Sequence, residues 1–239
     1  MDLEENQSKP EAILPGKVAA SSTDTGIIVE TLLSRRPRPG SLPVAVLSVM
    51  VMLFVSLLQW RSGPDFSVGF GAVSERIFRQ GEYWRLLTSI GVHADLEHFA
   101  VNGILFLLFS YLLYGYFGFW IYPVLSLLLG SLANYLSLLT YPPSTILVGA
   151  SGVVYLMAGF WLTIYALIER RLPLRKRMLR LTGVGLIVLV PSSLQENVSY
   201  RTHAIGCALG IALAVAYFML CRKTIRSAEV VEQVRVDPL

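Results

Sequence analysis

Apolar positions along this chain gather into long blocks separated by short polar or basic stretches, with little period-two alternation. Residues 1–40 are polar, carry Pro10, Pro15, Pro37 and Pro39, and show no sustained apolar period, so they read as a mobile tail. The first block runs from Leu42 to Trp60. Residues 61–92 then mix aromatics with Arg61, Asp65, Glu75, Arg76, Arg79, Glu82 and Arg85. That stretch is too polar to cross a membrane and too apolar for a plain linker, which predicts a structured loop lying partly in the membrane interface. From residue 98 to 168 there is no Asp, Glu, Lys or Arg. A transmembrane helix needs about 20 apolar residues, so this region holds several spans.

Turn signals divide it. Gly115 and Gly118 separate a span at 98–114 from one at 119–139, and Pro142 and Pro143 precede a fourth at 150–168. A basic loop with Arg170, Arg171, Arg175, Lys176, Arg177 and Arg180 follows. The fifth span, 181–195, is short and contains Gly183, Gly185 and Pro191; the sixth is 203–221, closed by Arg222, Lys223 and Arg226. The expectation is an all-α integral membrane protein with six spans: a tail at 1–40, a core at 41–222 and a second tail at 223–239.

Composition narrows the class. Of 239 residues 54% are hydrophobic and 15% charged, against roughly a quarter charged in soluble domains. A soluble enzyme, a disordered chain and a secreted disulfide scaffold are excluded. The net charge of +4 does not mark a nucleic-acid binder, because the basic residues cluster at span ends, where they set orientation. With six crossings those clusters fall on one side. Both termini are then cytoplasmic and residues 61–92 face outward. The acidic start, MDLEEN, does not read as a signal peptide, and no seventh span is seen. Cys207 and Cys221 lie in one helix, about 21 Å apart by helical rise, too far for a disulfide.

Polar side chains inside spans are costly and point to function. Three groups stand out: His93-x4-His98-x3-Asn102, Gly149-Ala150-Ser151-Gly152, and His203 followed by Gly206 and Gly210. His98 and Asn102 share a helix face. A serine in a membrane helix ordinarily bonds a neighbouring backbone, but Ser151 sits between glycines where a loop becomes a helix. Free N–H groups and a positive dipole there suit a developing oxyanion. His203 is the single histidine downstream of it, and Gly206 and Gly210 continue its face. Small residues at that spacing let another helix approach closely. Gly152 and Gly159 give the fourth span a matching strip, and Tyr155 lies one turn past Ser151.

These motifs, GASGVVY with His203-x2-Gly-x3-Gly and His93-x4-His98-x3-Asn102, together resemble the rhomboid intramembrane serine proteases. Trp84-Arg85 resembles a Trp-Arg pair in that family's first loop, and the likeness covers about 42–221. It implies a six-helix core of the basic form, with Ser151 as nucleophile and His203 as general base. It also implies that His98, Asn102 and the Ser151 backbone N–H form an oxyanion hole, and that Tyr155 packs on the catalytic imidazole. Gly149, Gly152, Gly206, Gly210 and His93 would support the site. Single-pass membrane proteins would be the substrates, in a bilayer, with no cofactor, metal or nucleic acid. A bacterial cytoplasmic membrane is the expected location. Asp95 and Glu97 depart from the pattern by placing acids in the first histidine motif, where the family is usually apolar.

Other chemistries fit less well. His93-Ala-Asp95-Leu-Glu97-His98 is one residue too long for an H-x-x-E-H zinc motif. Spans two to six hold no aspartate pair for an aspartyl protease and no acid relay for a transporter. Cys207 has no oxyanion donors placed around it and reads as packing. The remaining rival is a catalytically inactive rhomboid-like protein that binds transmembrane segments for trafficking or quality control.

Overall fold

The computed structural model describes residues 24–62, 65, 69–193 and 198–235. Among these, five helices are long and apolar enough to cross a membrane: α1 (Ser41–Ser62), α4 (Leu96–Phe117), the unit Trp120–Leu138, α6 (Ser151–Ile168) and α8 (Tyr200–Ser227). Within Trp120–Leu138, a π-helical turn at Trp120–Leu125 leads into α5 (Ser126–Leu138). The elements α2 (Ser74–Gln80) and α3 (Arg85–Thr88) lie in the segment between α1 and α4. They sit with a two-residue strand, β2 (Ala72–Val73), which pairs antiparallel with β3 (Ile146–Leu147).

Helix α6 sits at the centre. Eleven of its residues are buried, including the run Gly152–Phe160, as suits a helix apolar on every face. It packs against α8, α5 and α4, while α1 lies against α4. The outside inverts a soluble protein: Leu220 is 86% exposed and Ile104 69%, whereas Ser110, Ser126, Asn134 and Ser137 are buried. Lipid tails are as apolar as leucine, so polar and small side chains gather between helices.

Glycine sets the α6–α8 approach. A Cβ on Gly206 would overlap the carbonyl oxygen of Gly152, and one on Gly210 would overlap that of Leu156. On the facing helix a Cβ on Gly159 would lie 2.5 Å from the Cys207 carbonyl oxygen. Backbone therefore meets backbone along this seam.

Several boundaries differ from the sequence expectation. Helix α4 runs through Gly115 and turns only at Gly118, whose φ is +80°. The missing Cβ of Gly115 makes room for Pro37, 2.7 Å from where it would stand. The basic stretch expected as a loop is helical from Leu174, because α7 (Leu174–Ser193) takes Arg175, Lys176, Arg177 and Arg180 into its first turns. Those charges keep α7 out of the apolar set. Residues 194 and 195, read as the end of span five, lie outside the described residues, as do 1–23 of the first tail and 236–239 of the last.

The two segments read as tails also meet. Strand β1 (Asp24–Glu30) pairs antiparallel with β4 (Val230–Arg235), Ile28 opposite Val231. Residues 24–40 are therefore not a free tail in this structure. Arg38 N–H donates to the Gly115 carbonyl (2.9 Å), Tyr116 OH donates to the Arg35 carbonyl (3.1 Å), and the Arg35 guanidinium donates to the Ala228 carbonyl. Pairing partners so far apart leave no local pattern, because each strand is short and unpaired on its own.

Candidate active site

The N-terminal ends of α4, α6 and α8 converge on a cavity of about 570 Å³ lined by His98, Asn102, Ser151 and His203. Ser151 opens α6. Its N–H belongs to the first turn, whose donors lack partners within the helix. His203 lies in the first turn of α8, which begins with Ser199 accepting the Thr202 N–H through its side chain.

The bend before Ser151 depends on Gly149. Its φ is +106°, and a Cβ there would lie 2.7 Å from the ring of His98. Both facts require glycine: the dihedral is costly for any other residue, and the imidazole occupies the space. The Gly149 N–H donates to the Ser89 carbonyl at 2.9 Å.

His93 braces the same loop from behind. It is fully buried, and its Nε2 accepts the Ala150 N–H at 3.3 Å. Its Nδ1 faces Ser56 Oγ on α1 at 3.1 Å. Because Nε2 accepts, the neutral ring carries its proton on Nδ1 and donates to the serine. Burial, then the neighbouring His98, push its pKa down to about 3. The Trp60 indole N–H donates to the His93 carbonyl at 3.0 Å, so α1 holds this histidine at two points.

Ser151 and His203 line one cavity, but among the described residues neither nitrogen of His203 has a hydrogen-bond partner, so the Ser151–His203 hydrogen bond is not made. The imidazole lies flat on Tyr155, with ring centroids 3.9 Å apart. Asn102 is buried and donates from Nδ2 to the His98 carbonyl at 2.9 Å. An amide nitrogen carries two protons, which leaves the second for the cavity. A Cβ on Gly152 would lie 2.8 Å from the Thr202 methyl and 3.3 Å from Asn134 Oδ1, and Asn134 Nδ2 donates to Ser89 Oγ.

Trp84 and Arg85 lie elsewhere. The Arg85 guanidinium stacks over Trp84 at 4.6 Å and bonds Glu82 and the carbonyls of Gly69 and Gly71. The pair organises the loop between α1 and α4 and does not line the cavity. Sequence reasoning missed Ser56, Ser89 and Asn134. Each supports the site through a partner at least 37 residues away, a distance at which no local spacing gives a signal.

Residues 80–220 match the family described as Rhomboid domain. Over 180 residues the chain is 28% identical to the Rhomboid protease GluP of Bacillus subtilis (strain 168), covering 71% of this chain and 33% of that protein. The chain thus spans about a third of the length of that relative.

Proposed function

The chain belongs to the rhomboid family, and from that premise we propose that it is an intramembrane serine endopeptidase. It cuts peptide bonds in or beside transmembrane segments of other membrane proteins. The observation that carries this reading is that Ser151 and His203, whose ring nitrogens have no partner among the described residues, line one cavity. The name of the Bacillus relative supports it.

His203 takes the hydroxyl proton as Ser151 Oγ attacks the scissile carbonyl, then gives it to the nitrogen of the breaking C–N bond, leaving an ester and releasing the amine. The Ser151 N–H, the Asn102 amide and the His98 ring stabilise the oxyanion. Water then attacks the ester, with His203 again as base. Among the described residues no carboxylate bonds the imidazole, which supports a dyad. The stack on Tyr155 fixes the ring plane, and reach to Ser151 closes when substrate fills the cavity, since catalytic hydrogen bonds are often long in the empty site.

As a multi-pass membrane protein it sits, on this reading, in a bacterial cytoplasmic membrane. Both termini are cytoplasmic and the cavity opens outward, as the basic clusters direct. The competing reading, an inactive relative that only binds transmembrane segments, draws on the unmade Ser151–His203 bond.

One experiment separates them. Purified protein is incubated with a model transmembrane substrate, and wild type is compared with Ser151→Ala. Cleavage by wild type alone, together with fluorophosphonate labelling of Ser151 and indifference to EDTA, supports the protease. Cleavage by Ser151→Ala at the wild-type rate removes the serine mechanism, and binding without cleavage by wild type favours the inactive relative.

A further inference from the structure

Helix α1 supplies none of the described lining of the cavity that holds Ser151 and His203, yet one of its serines is joined to it through a chain of hydrogen bonds. We propose that Ser56 is a positioning residue for cleavage. Its hydroxyl ties to α1 the segment 89–93, and that segment holds both N–H groups that precede Ser151. The inference rests on the proteolytic reading above.

Two bonds run from this segment to the bend. The Gly149 N–H donates to the Ser89 carbonyl at 2.9 Å, and the Ala150 N–H donates to His93 Nε2 at 3.3 Å. Gly149, at a φ of +106°, has no Cβ to resist a flip of the neighbouring peptide. The orientation of these peptides must therefore come from outside the bend. With both N–H groups held, the Ser151 N–H that follows keeps its direction as an oxyanion donor, and such donors act through fixed placement.

The segment meets α1 at Ser56. Ser56 Oγ lies 3.1 Å from the Gly91 carbonyl oxygen and 3.1 Å from His93 Nδ1. Gly91 permits this approach, because a Cβ there would stand 3.2 Å from Val55 Cγ1 on α1. Ser56 Oγ also lies 3.0 Å from the Met52 carbonyl oxygen, the bond one turn back that a helical serine ordinarily makes. That local bond does not account for a ring nitrogen and a second carbonyl on the same oxygen. With His93 Nδ1–H donating to it, the hydroxyl has one proton to give, to Gly91 or to Met52. Ser56 is fully buried, and packing alone would be served there by an apolar side chain without the cost of desolvating a hydroxyl.

The test uses the full-length protein and a model transmembrane substrate. Ser56→Ala removes the hydroxyl, whereas Ser56→Cys nearly keeps its volume but bonds weakly. Both should lower kcat about tenfold, the worth of about one net hydrogen bond, with KM little changed. In both, amide hydrogen exchange at Gly149 and Ala150 should quicken while exchange in the middle of α6 stays as in wild type. Unfolding in detergent is followed in parallel. Wild-type behaviour of Ser56→Cys, with Ser56→Ala losing stability and exchanging faster throughout, would mean that Ser56 only fills space and would overturn the proposal. Wild-type kcat and exchange in Ser56→Ala would also overturn it and leave proteolysis standing. Absence of cleavage by wild type would overturn the proteolytic reading, and the positioning role with it.

Discussion

The imidazole of His203 and the phenol ring of Tyr155 are parallel to within 12°, with centroids 3.9 Å apart. Two residues on neighbouring helices thus fix one ring plane, and the plane decides where the imidazole nitrogens point. Tyr155→Phe retains the ring face and should stay within a few-fold of wild-type kcat. Tyr155→Ala frees the imidazole and should lower kcat by about 10²-fold, the cost of a misplacement near 1 Å, with KM little changed. A single-turnover assay reads both. Equal loss in the two variants would mean that the stack is not what orients His203.

Ser151→Ala and His203→Ala should each abolish cleavage without lowering expression or membrane insertion. The double variant should be no worse than either single, because residues acting as one unit are non-additive. A cleavage assay on proteins matched for insertion checks this.

Asn102→Ala should lower the chemical step by about 10²–10³-fold, as for loss of one oxyanion donor. The loss should fall on kcat. A change confined to KM would place Asn102 in ground-state binding.

Gly206→Leu should lose activity and unfold at lower temperature in detergent, because any side chain there meets the Gly152 carbonyl. The helices must then part, carrying His203 away from Ser151. Ala214 is buried about three turns along α8 from His203, and Ala214→Gly should change the cleavage rate little. Wild-type stability in Gly206→Leu would show that the seam tolerates bulk.

His93 gives the fold an acid limit. Its pKa is about 3 in the folded protein and about 6.5 when unfolded. Between these values the unfolded chain holds a proton that the folded one does not. Stability from this group is therefore complete above about pH 6.5 and is lost as pH falls toward 3, by up to about 1.4 kcal/mol per pH unit. His93→Gln offers an acceptor to the Ala150 N–H but cannot titrate, so its stability should fall less steeply between pH 6 and 4. Chemical unfolding across that range measures the difference, and identical slopes would overturn the assignment.

The contrast between what was legible and what was not follows from range. Apolar blocks and the absence of charge over 98–168 fixed the existence of the long helices, since crossing a bilayer is a demand on local composition. The Gly206 and Gly210 face was legible because helical spacing is local too. Boundaries were less so: Gly115 resembles a breaker, yet it lies inside α4 because Pro37 fills its place. The start of α7 was hidden by its charges, which make good helix formers at a water interface and poor evidence of a span. In the site, the glycine-flanked serine and the histidine spacings could be read directly. The bracing of His93 by Ser56, and of the Gly149 loop by Ser89, exists only once α1 and the first loop have packed.

The β1–β4 pairing constrains the count of crossings. Two hydrogen-bonded strands lie on the same side of a bilayer, and here one precedes α1 while the other follows α8. A path that leaves one side and returns to it crosses an even number of times. The five apolar helices among the described residues give an odd number, and one further passage would restore parity. The helix Leu174–Ser193 is the remaining long element between them, and its charged first turns can stay in water while the apolar remainder goes through. Thiol-reactive probes at cysteines placed at Lys176 and Val198 would then label from opposite faces.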